Sequence, residues 1–292
     1  MEAACPINDA AKGGKATATC NVCPHLCRLS EGELGMCRAR RCVGGRVVDD
    51  NYGRVTSLAL DPIEKKPLAR FMAGSKVLSV GSYGCNLSCG FCQNASIACA
   101  SADDVAWREV SPQDLVRLAQ ETAAQGNVGI AFTYNEPLVG YEYVRDCARL
   151  AHDAGLVNVL VSNGMANPAP VSELLPLIDA ANIDLKGFTQ AFYDMVDGSL
   201  ECVKRTIEAF ARAEGCHLEV TTLVVPGLND DPAEIDAAAQ WLASLDAGIV
   251  YHLTRFFPCH RFADRQPTPV EDVYRLADVA RRHLPHVFVG NC

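Results

Sequence analysis

The residues best suited to chemistry in this chain are its cysteines, 15 in 292 residues. Two groups stand apart. Cys85, Cys89 and Cys92 fall within GCNLSCGFCQN, from Gly84 to Asn94. The C-x3-C-x2-C spacing lets one short loop aim three thiolates at one point, and thiolates are the natural ligands of iron–sulfur clusters. Three cysteines on a [4Fe–4S] cubane leave one iron open to an outside amine and carboxylate. The alternative is zinc with Cys99 as fourth ligand, although zinc usually takes its ligands as separated pairs.

The second group is CNVCPHLC, with Cys20, Cys23 and Cys27, followed by Cys37 and Cys42. C-x2-C-x3-C plus a distant cysteine can close a tetrahedral zinc site or ligate an auxiliary iron–sulfur cluster, and His25 is an alternative ligand. The knuckle-like spacing in a small glycine-rich segment favours structural zinc, with an auxiliary cluster second and unligated thiols third. Cys5, Cys147, Cys202, Cys216, Cys259 and Cys292 are scattered and read as small packing residues.

The rest of the chain has to position these loops. Composition is that of a globular protein, 49% hydrophobic and 21% charged. No apolar run reaches the ~18 residues of a membrane span. The first twenty residues have no apolar stretch of the secretory kind, so a cytoplasmic protein is expected, and metal or redox chemistry rather than disulfides. The net charge of −9 without a basic tract argues against nucleic acid as a partner.

Residues 1–19 read as a flexible tail, 20–50 as a Cys-rich module that needs a metal staple, and 51–74 as a connector. From residue 75 short apolar strands alternate with helices. Strands are expected at 76–84, 128–134, 157–163, 180–187, 217–225, 249–256 and 286–290. Helices are expected at 111–125, 137–154, 169–178, 201–214, 232–244 and 268–284, the first opened by Ser111 and Pro112. About six βα units imply a parallel sheet, fewer than the eight of a closed barrel.

At the cysteine loop the sequence resembles the radical S-adenosylmethionine (SAM) superfamily, and Phe91 before the third cysteine fits that signature. DPIEKKPL, CNLSCGFCQN, TYNEP and PGLND are similar to the group around pyruvate formate-lyase activating enzyme, and most similar to the radical SAM member of the AmmeMemoRadiSam system, across residues 20–291. The resemblance implies an α/β fold, an incomplete (β/α)6 TIM-like barrel. It implies a [4Fe–4S] cluster on Cys85, Cys89 and Cys92 that binds SAM and cleaves it to a 5′-deoxyadenosyl radical for hydrogen abstraction. It also implies a one-electron donor such as flavodoxin or ferredoxin, and anaerobic work. The substrate reading is a glycyl radical enzyme activated at a backbone glycine. The alternatives are a small molecule or protein side chain within the AmmeMemoRadiSam set, or a non-catalytic metal-binding or electron-transfer protein.

Further residues then acquire roles. Tyr134, Asn135 and Glu136 occupy the place of the superfamily's Gly-Gly-Glu motif at the methionine amino group of SAM, with Asn135 replacing one glycine. Glu136 also stands before Pro137 at a helix start. By the same resemblance Ser162 and Asn163, at the next strand end, reach the ribose or carboxylate of SAM, although Asn-Gly is itself a good turn. Asp184 and Lys186 share one side of their strand by alternation. They either meet SAM or substrate or form a pair at the rim. His252 shares a face with Thr254, and related activating enzymes place a histidine near SAM from a comparable strand. Glu219 and Thr221 have the same inward alternation. The segment Asp61–Lys66 is either a charged surface loop or a cover for the barrel mouth.

Overall fold

A computed structural model describes residues 18–292. The expected tail lies outside the described residues except for its last two. These form β1 (Ala18–Thr19), paired antiparallel with β2 (Arg28–Leu29). A hairpin follows, β3 (Arg40–Val43) and β4 (Arg46–Asp49), turning at Gly44 and Gly45 with φ of +58° and +71°. Positive φ at both turn residues gives the twist a two-residue hairpin needs, and glycine adopts it at no steric cost.

The expected connector contributes structure of its own. β5 (Arg54–Val55) leads to β6 (Ser57–Pro62), which runs antiparallel to the first barrel strand, β7 (Lys76–Gly81). A short helix α1 (Ala95–Ala98) and strand β8 (Arg108–Glu109) precede α2 (Pro112–Glu121). The Ser111 hydroxyl caps α2 by accepting the Asp114 N–H, with Pro112 at the first helical position. The alternation then runs β9 (Asn127–Phe132), α3 (Tyr141–Asp153), β10 (Val157–Ser162), α4 (Pro168–Leu174) and β11 (Ala180–Asp184). Two helices, α5 (Gln190–Met195) and α6 (Leu200–Ala211), precede β12 (His217–Val224). The chain ends with α7 (Pro232–Leu245), β13 (Val250–Arg255), α8 (Val270–Ala280) and β14 (Val287–Gly290).

The main sheet has the order β14-β13-β12-β11-β10-β9-β7-β6. Seven strands are parallel and β6 is antiparallel. Among the described residues no ladder joins β6 to β14, so the barrel is incomplete, as expected. Strand alternation sorts its two faces. Ile130, Leu160, Ile183, Val220 and Leu253 point outward to the helices. Ala131, Val159 and Ala180 stand in one register layer on the opposite face, and Ile63, Leu68 and Val77 pack on them. The segment after β6 therefore fills the N-terminal end of the barrel and forms its floor. Active-site loops are left at the other end, the mouth, where the strands finish. Among the described residues no helix is long and apolar enough to cross a membrane, and all the cysteines are outside disulfides.

Candidate active site

The cysteine loop leaves β7 at the mouth through Gly84, whose φ is +89°. A Cβ there would collide with the Cys37 carbonyl and with Ala39, so the N-terminal module presses directly on the loop. Asn135 pins the loop from the other side. Its amide nitrogen donates to the Tyr83 and Gly84 carbonyls, each at 3.1 Å, and its oxygen accepts the Ser82 N–H at 2.9 Å. The residue that departs from the expected Gly-Gly-Glu motif thus positions the backbone that leads into Cys85.

Burial pushes the thiol of Cys85 well above its usual value, that of Cys89 up to about 12, and that of Cys92 upward. Neighbouring thiols add to the rise at Cys85 and Cys89. Three buried or half-buried thiols that resist ionisation on their own are a donor set that becomes anionic when a cationic centre binds.

A cavity of about 610 Å³ opens beside them, within the size range of small-molecule sites. Its wall contains Cys85, Cys89 and Cys92, and also Tyr134, Asn135, Glu136, Ser162 and Asn163. Asp184, Lys186, Thr221, His252 and Thr254 line it too. Every barrel residue singled out by sequence is brought to this cavity except Glu219, which sits behind His252. Cys99, the fourth ligand of the zinc alternative, is not in the wall.

Glu136 is 2% exposed. Its carboxylate accepts the Ser162 hydroxyl at 2.7 Å and the Asn163 and Leu138 N–H groups at 2.8 and 2.9 Å. Burial outweighs these donors and raises the group to about 7. It ties the ends of β9 and β10 together at the cavity wall. Asn163 donates its side-chain N–H to Asn86 at 3.0 Å and toward the Cys85 sulfur at 3.5 Å. Lys186 lies just past the end of β11 and reaches back to Asp184 at 2.7 Å. Burial alone would lower the ammonium, but Asp184 and the nearby cysteines raise it, and it stays charged. This ion pair faces the cavity beside the thiols.

His252 lines the cavity with its ring parallel to Phe288, centroids 5.6 Å apart. Its Nε2 is held by Glu219. Glu219 is fully buried, and it also accepts His217 Nε2 at 2.9 Å and the Ala69 and Arg70 N–H groups at 2.9 and 2.8 Å. Burial pushes this carboxyl up, but four donors bring it down to about 2. Glu219 is the anchor of the barrel floor.

The sequence left Asp61–Lys66 open between a surface loop and a mouth cover; the structure places it at the N-terminal end of the barrel, with Glu64 and Lys65 exposed there and contributing to the cavity wall. Asp61 sits on β6 opposite Val77, toward the floor. It accepts the Tyr134 hydroxyl at 2.7 Å and Lys66 Nζ at 2.9 Å, and Lys66 lies 4.8 Å from the Tyr134 ring centre. Burial opposes ionisation of Asp61, yet these donors hold it well below the usual carboxylate range. Tyr134 itself has φ +73°, an unusual conformation for a bulky residue, which the tie to Asp61 helps to hold.

The N-terminal cysteines also form one group. Cys20, Cys23 and Cys37 are buried and Cys27 is partly so. Cys37 senses Cys20, Cys23 and Cys27 as electrostatic neighbours, and Cys23 senses Cys20 and Cys27. Among the described residues no group of three or more His, Cys, Asp and Glu side chains is already arranged as a single-ion site. That holds for this quartet and for the mouth triad alike. His25 commits its Nε2 to the Asn86 carbonyl at 2.8 Å.

The radical SAM superfamily model matches residues 79–240, from β7 into α7. The chain belongs to the radical SAM superfamily. It is 36% identical over 275 residues to an uncharacterised protein of Methanocaldococcus jannaschii, covering 93% of this chain and 80% of that one. It is 25% identical over 270 residues to the benzylsuccinate synthase activating enzyme of Thauera aromatica, covering 86% and 77%. The fold is that of Streptococcus suis SuiB in its structure bound to S-adenosylmethionine. There the TM-score is 0.57, the identity 12%, and the coverage 74% of this chain and 52% of that chain.

The radical SAM superfamily implies a [4Fe–4S] cluster and SAM. The mouth fits both: three thiols on one short loop at the cavity wall, and beside them an ammonium–carboxylate pair. Sequence reading missed Asn86, which lies within the radical SAM loop itself. Its position directly after Cys85 was the available signal.

Proposed function

We propose that this protein reductively cleaves SAM at a [4Fe–4S] cluster held by Cys85, Cys89 and Cys92, and that the resulting 5′-deoxyadenosyl radical abstracts a hydrogen atom. One observation carries the reading. A single cavity joins the three thiols to Glu136, Asn163, Asp184 and Lys186. The cluster supplies the electron that breaks the sulfonium bond, and the chain's own residues bind and orient. Asp184 and Lys186 present both charges to a zwitterion such as the methionine part of SAM, and desolvation of charges is tolerable where they are paired. Glu136 holds the β9 and β10 ends at the spacing the cavity requires. His252, fixed by Glu219, turns its remaining ring edge to the same space. Ile63, Leu68 and Val77 pack across the far end of the barrel, which limits the entry of water from that side.

The Thauera relative, an activating enzyme, supports a backbone glycine of a glycyl radical enzyme as the hydrogen donor. A one-electron carrier of the flavodoxin or ferredoxin class supplies the electron. The test is anaerobic incubation of the reconstituted, reduced protein with SAM, with 5′-deoxyadenosine measured by mass. Protein extract from cells grown on glycine deuterated at the α-carbon should pass deuterium into that product. Cleavage without deuterium transfer would leave the SAM reaction standing and remove glycine as the donor.

A further inference from the structure

Glu136 and the end of β10 do more than line the cavity, because together they aim one side chain at the cysteine loop. Asn163 follows β10 directly and is buried. Its backbone N–H is held by the Glu136 carboxylate at 2.8 Å. Its side-chain oxygen accepts the Met165 N–H at 2.8 Å. The amide nitrogen is thereby turned the other way. It donates to the Asn86 side-chain oxygen at 3.0 Å and to the Cys85 sulfur at 3.5 Å. Sulfur is a larger acceptor than oxygen, so its hydrogen bonds are longer. Asn86, 1% exposed, is locked in turn, because its own amide nitrogen donates to the Met165 carbonyl at 2.6 Å.

The network around each amide decides which way it points, and here neither can be reversed. An amide oxygen only accepts and an amide nitrogen only donates. Turning Asn163 over would set its oxygen against the Asn86 oxygen and its nitrogen against the Met165 N–H. Turning Asn86 over would set its oxygen against the Met165 carbonyl and its nitrogen against the Asn163 amide. The sequence resemblance sent Asn163 to the ribose or carboxylate of SAM. Its amide nitrogen is instead used within the protein, in part on a sulfur of the mouth triad. The Leu87 N–H is a second donor to that sulfur, at 3.4 Å.

The three sulfurs of the mouth are served differently. Lys186 favours the charged forms of Cys89 and Cys92. At Cys85 the strongest influence after burial is the Glu136 carboxylate, which opposes charge there. Hydrogen bonds to ligand sulfurs are among the terms that set the potential of an iron–sulfur cluster. A donor to a thiolate draws off negative charge and so favours the reduced, more negative state. We propose that Asn163, oriented by Asn86, raises the reduction potential of the cluster held by Cys85, Cys89 and Cys92 through its N–H bond to the Cys85 sulfur. This rests on the radical SAM reading of the mouth. The electron comes from a one-electron protein carrier, which is oxidised as the cluster is reduced. No bond forms or breaks at Cys85, and the proton stays on Asn163. Asn163 acts on SAM cleavage only through Cys85, and Asn86 acts through Asn163, so both are positioning residues.

The test is an anaerobic redox titration of the full-length, reconstituted protein without SAM, followed by electron paramagnetic resonance. The mouth signal is the one that disappears when Cys85, Cys89 and Cys92 are replaced by Ala. N163S keeps a hydroxyl for the Met165 N–H, as serine does in such turns, and removes the donor to Cys85. N163L keeps the volume and removes every polar contact of the side chain. In both, the reduced-to-oxidised ratio at the wild-type midpoint should fall about fivefold, a shift of about 40 mV to more negative potential at 59 mV per tenfold. N86A, which frees the Asn163 amide, should move the midpoint the same way by less. A midpoint equal to that of wild type, or less negative, in both Asn163 variants would overturn the tuning role. Failure of the mouth reading shows separately, as iron and signal that survive in the triple-Ala variant.

Discussion

The mouth and the floor of this barrel are built from the same kinds of inward-facing residue, yet they treat charge differently. At the floor, Glu219 is fully buried and saturated by two histidines and two backbone N–H groups, and Asp61 is answered by Lys66 and Tyr134. The protein completes each of these charges itself. At the mouth, the Asp184–Lys186 pair faces an open cavity beside three thiols, and Lys186 is near enough to Cys89 and Cys92 to favour their charged forms. A cavity of this size that keeps an ion pair and three thiols on its wall is shaped to take a ligand. His252 lies on the boundary, with Nε2 given to the floor and its ring in the cavity wall.

The sharpest way to break this comparison is at Glu219. Replacing it by Gln keeps the shape but removes the charge that four donors share. Breaking a buried pair in this way costs about 3–5 kcal/mol, so the apo-protein should lose that much in urea unfolding while iron content after reconstitution stays normal. The pH dependence follows the same group. Its carboxyl is lowered to about 2 in the fold, so its stabilisation is complete above the unfolded value and is lost as pH falls toward about 2. At ~1.4 kcal/mol per unit this amounts to about 3 kcal/mol, and E219Q should flatten that part of the stability profile. A variant that loses SAM binding without losing stability would move Glu219 from floor to mouth.

A smaller effect of the opposite kind is expected at Asp184 and Lys186. D184N and K186M should fold and take up iron normally, yet bind SAM roughly tenfold more weakly, about 1.4 kcal/mol, by isothermal titration of the anaerobic protein. Unchanged affinity in both would make the pair a rim feature. The smallest change is Y134F. It removes one hydroxyl from Asp61 and should cost about 1 kcal/mol of stability, leaving SAM affinity unchanged. A large loss of SAM affinity would instead place Tyr134 at the ligand.

Much of the mouth was legible in the sequence because it depends on local spacing. Cys85, Cys89 and Cys92 are close in sequence, and Glu136, Ser162, Asn163 and Asp184 fall at or just past strand ends that apolar alternation marks. The floor was not legible, because it depends on pairing over long distances. The role of Glu219 requires Ala69 and Arg70, about 150 positions away, and Asp61 finds Tyr134 across 73. β6 was read as connector since SLALDP is short, and nothing local shows that it closes the sheet edge as an antiparallel strand. The Gly44-Gly45 hairpin carried a usable turn signal that the cysteines around it obscured. Asn135 was read toward SAM from its motif, whereas its side chain is committed to the loop backbone.

The claim at the centre of this account is that the mouth holds a cluster which cleaves SAM. It is tested most directly by paired iron and 5′-deoxyadenosine measurements on reconstituted wild type and on the protein with Cys85, Cys89 and Cys92 replaced by Ala. The account predicts that the variant loses about four irons relative to wild type and forms no 5′-deoxyadenosine, while its far-ultraviolet circular dichroism is unchanged. Equal iron content in the two proteins, or SAM cleavage surviving in the variant, would contradict it.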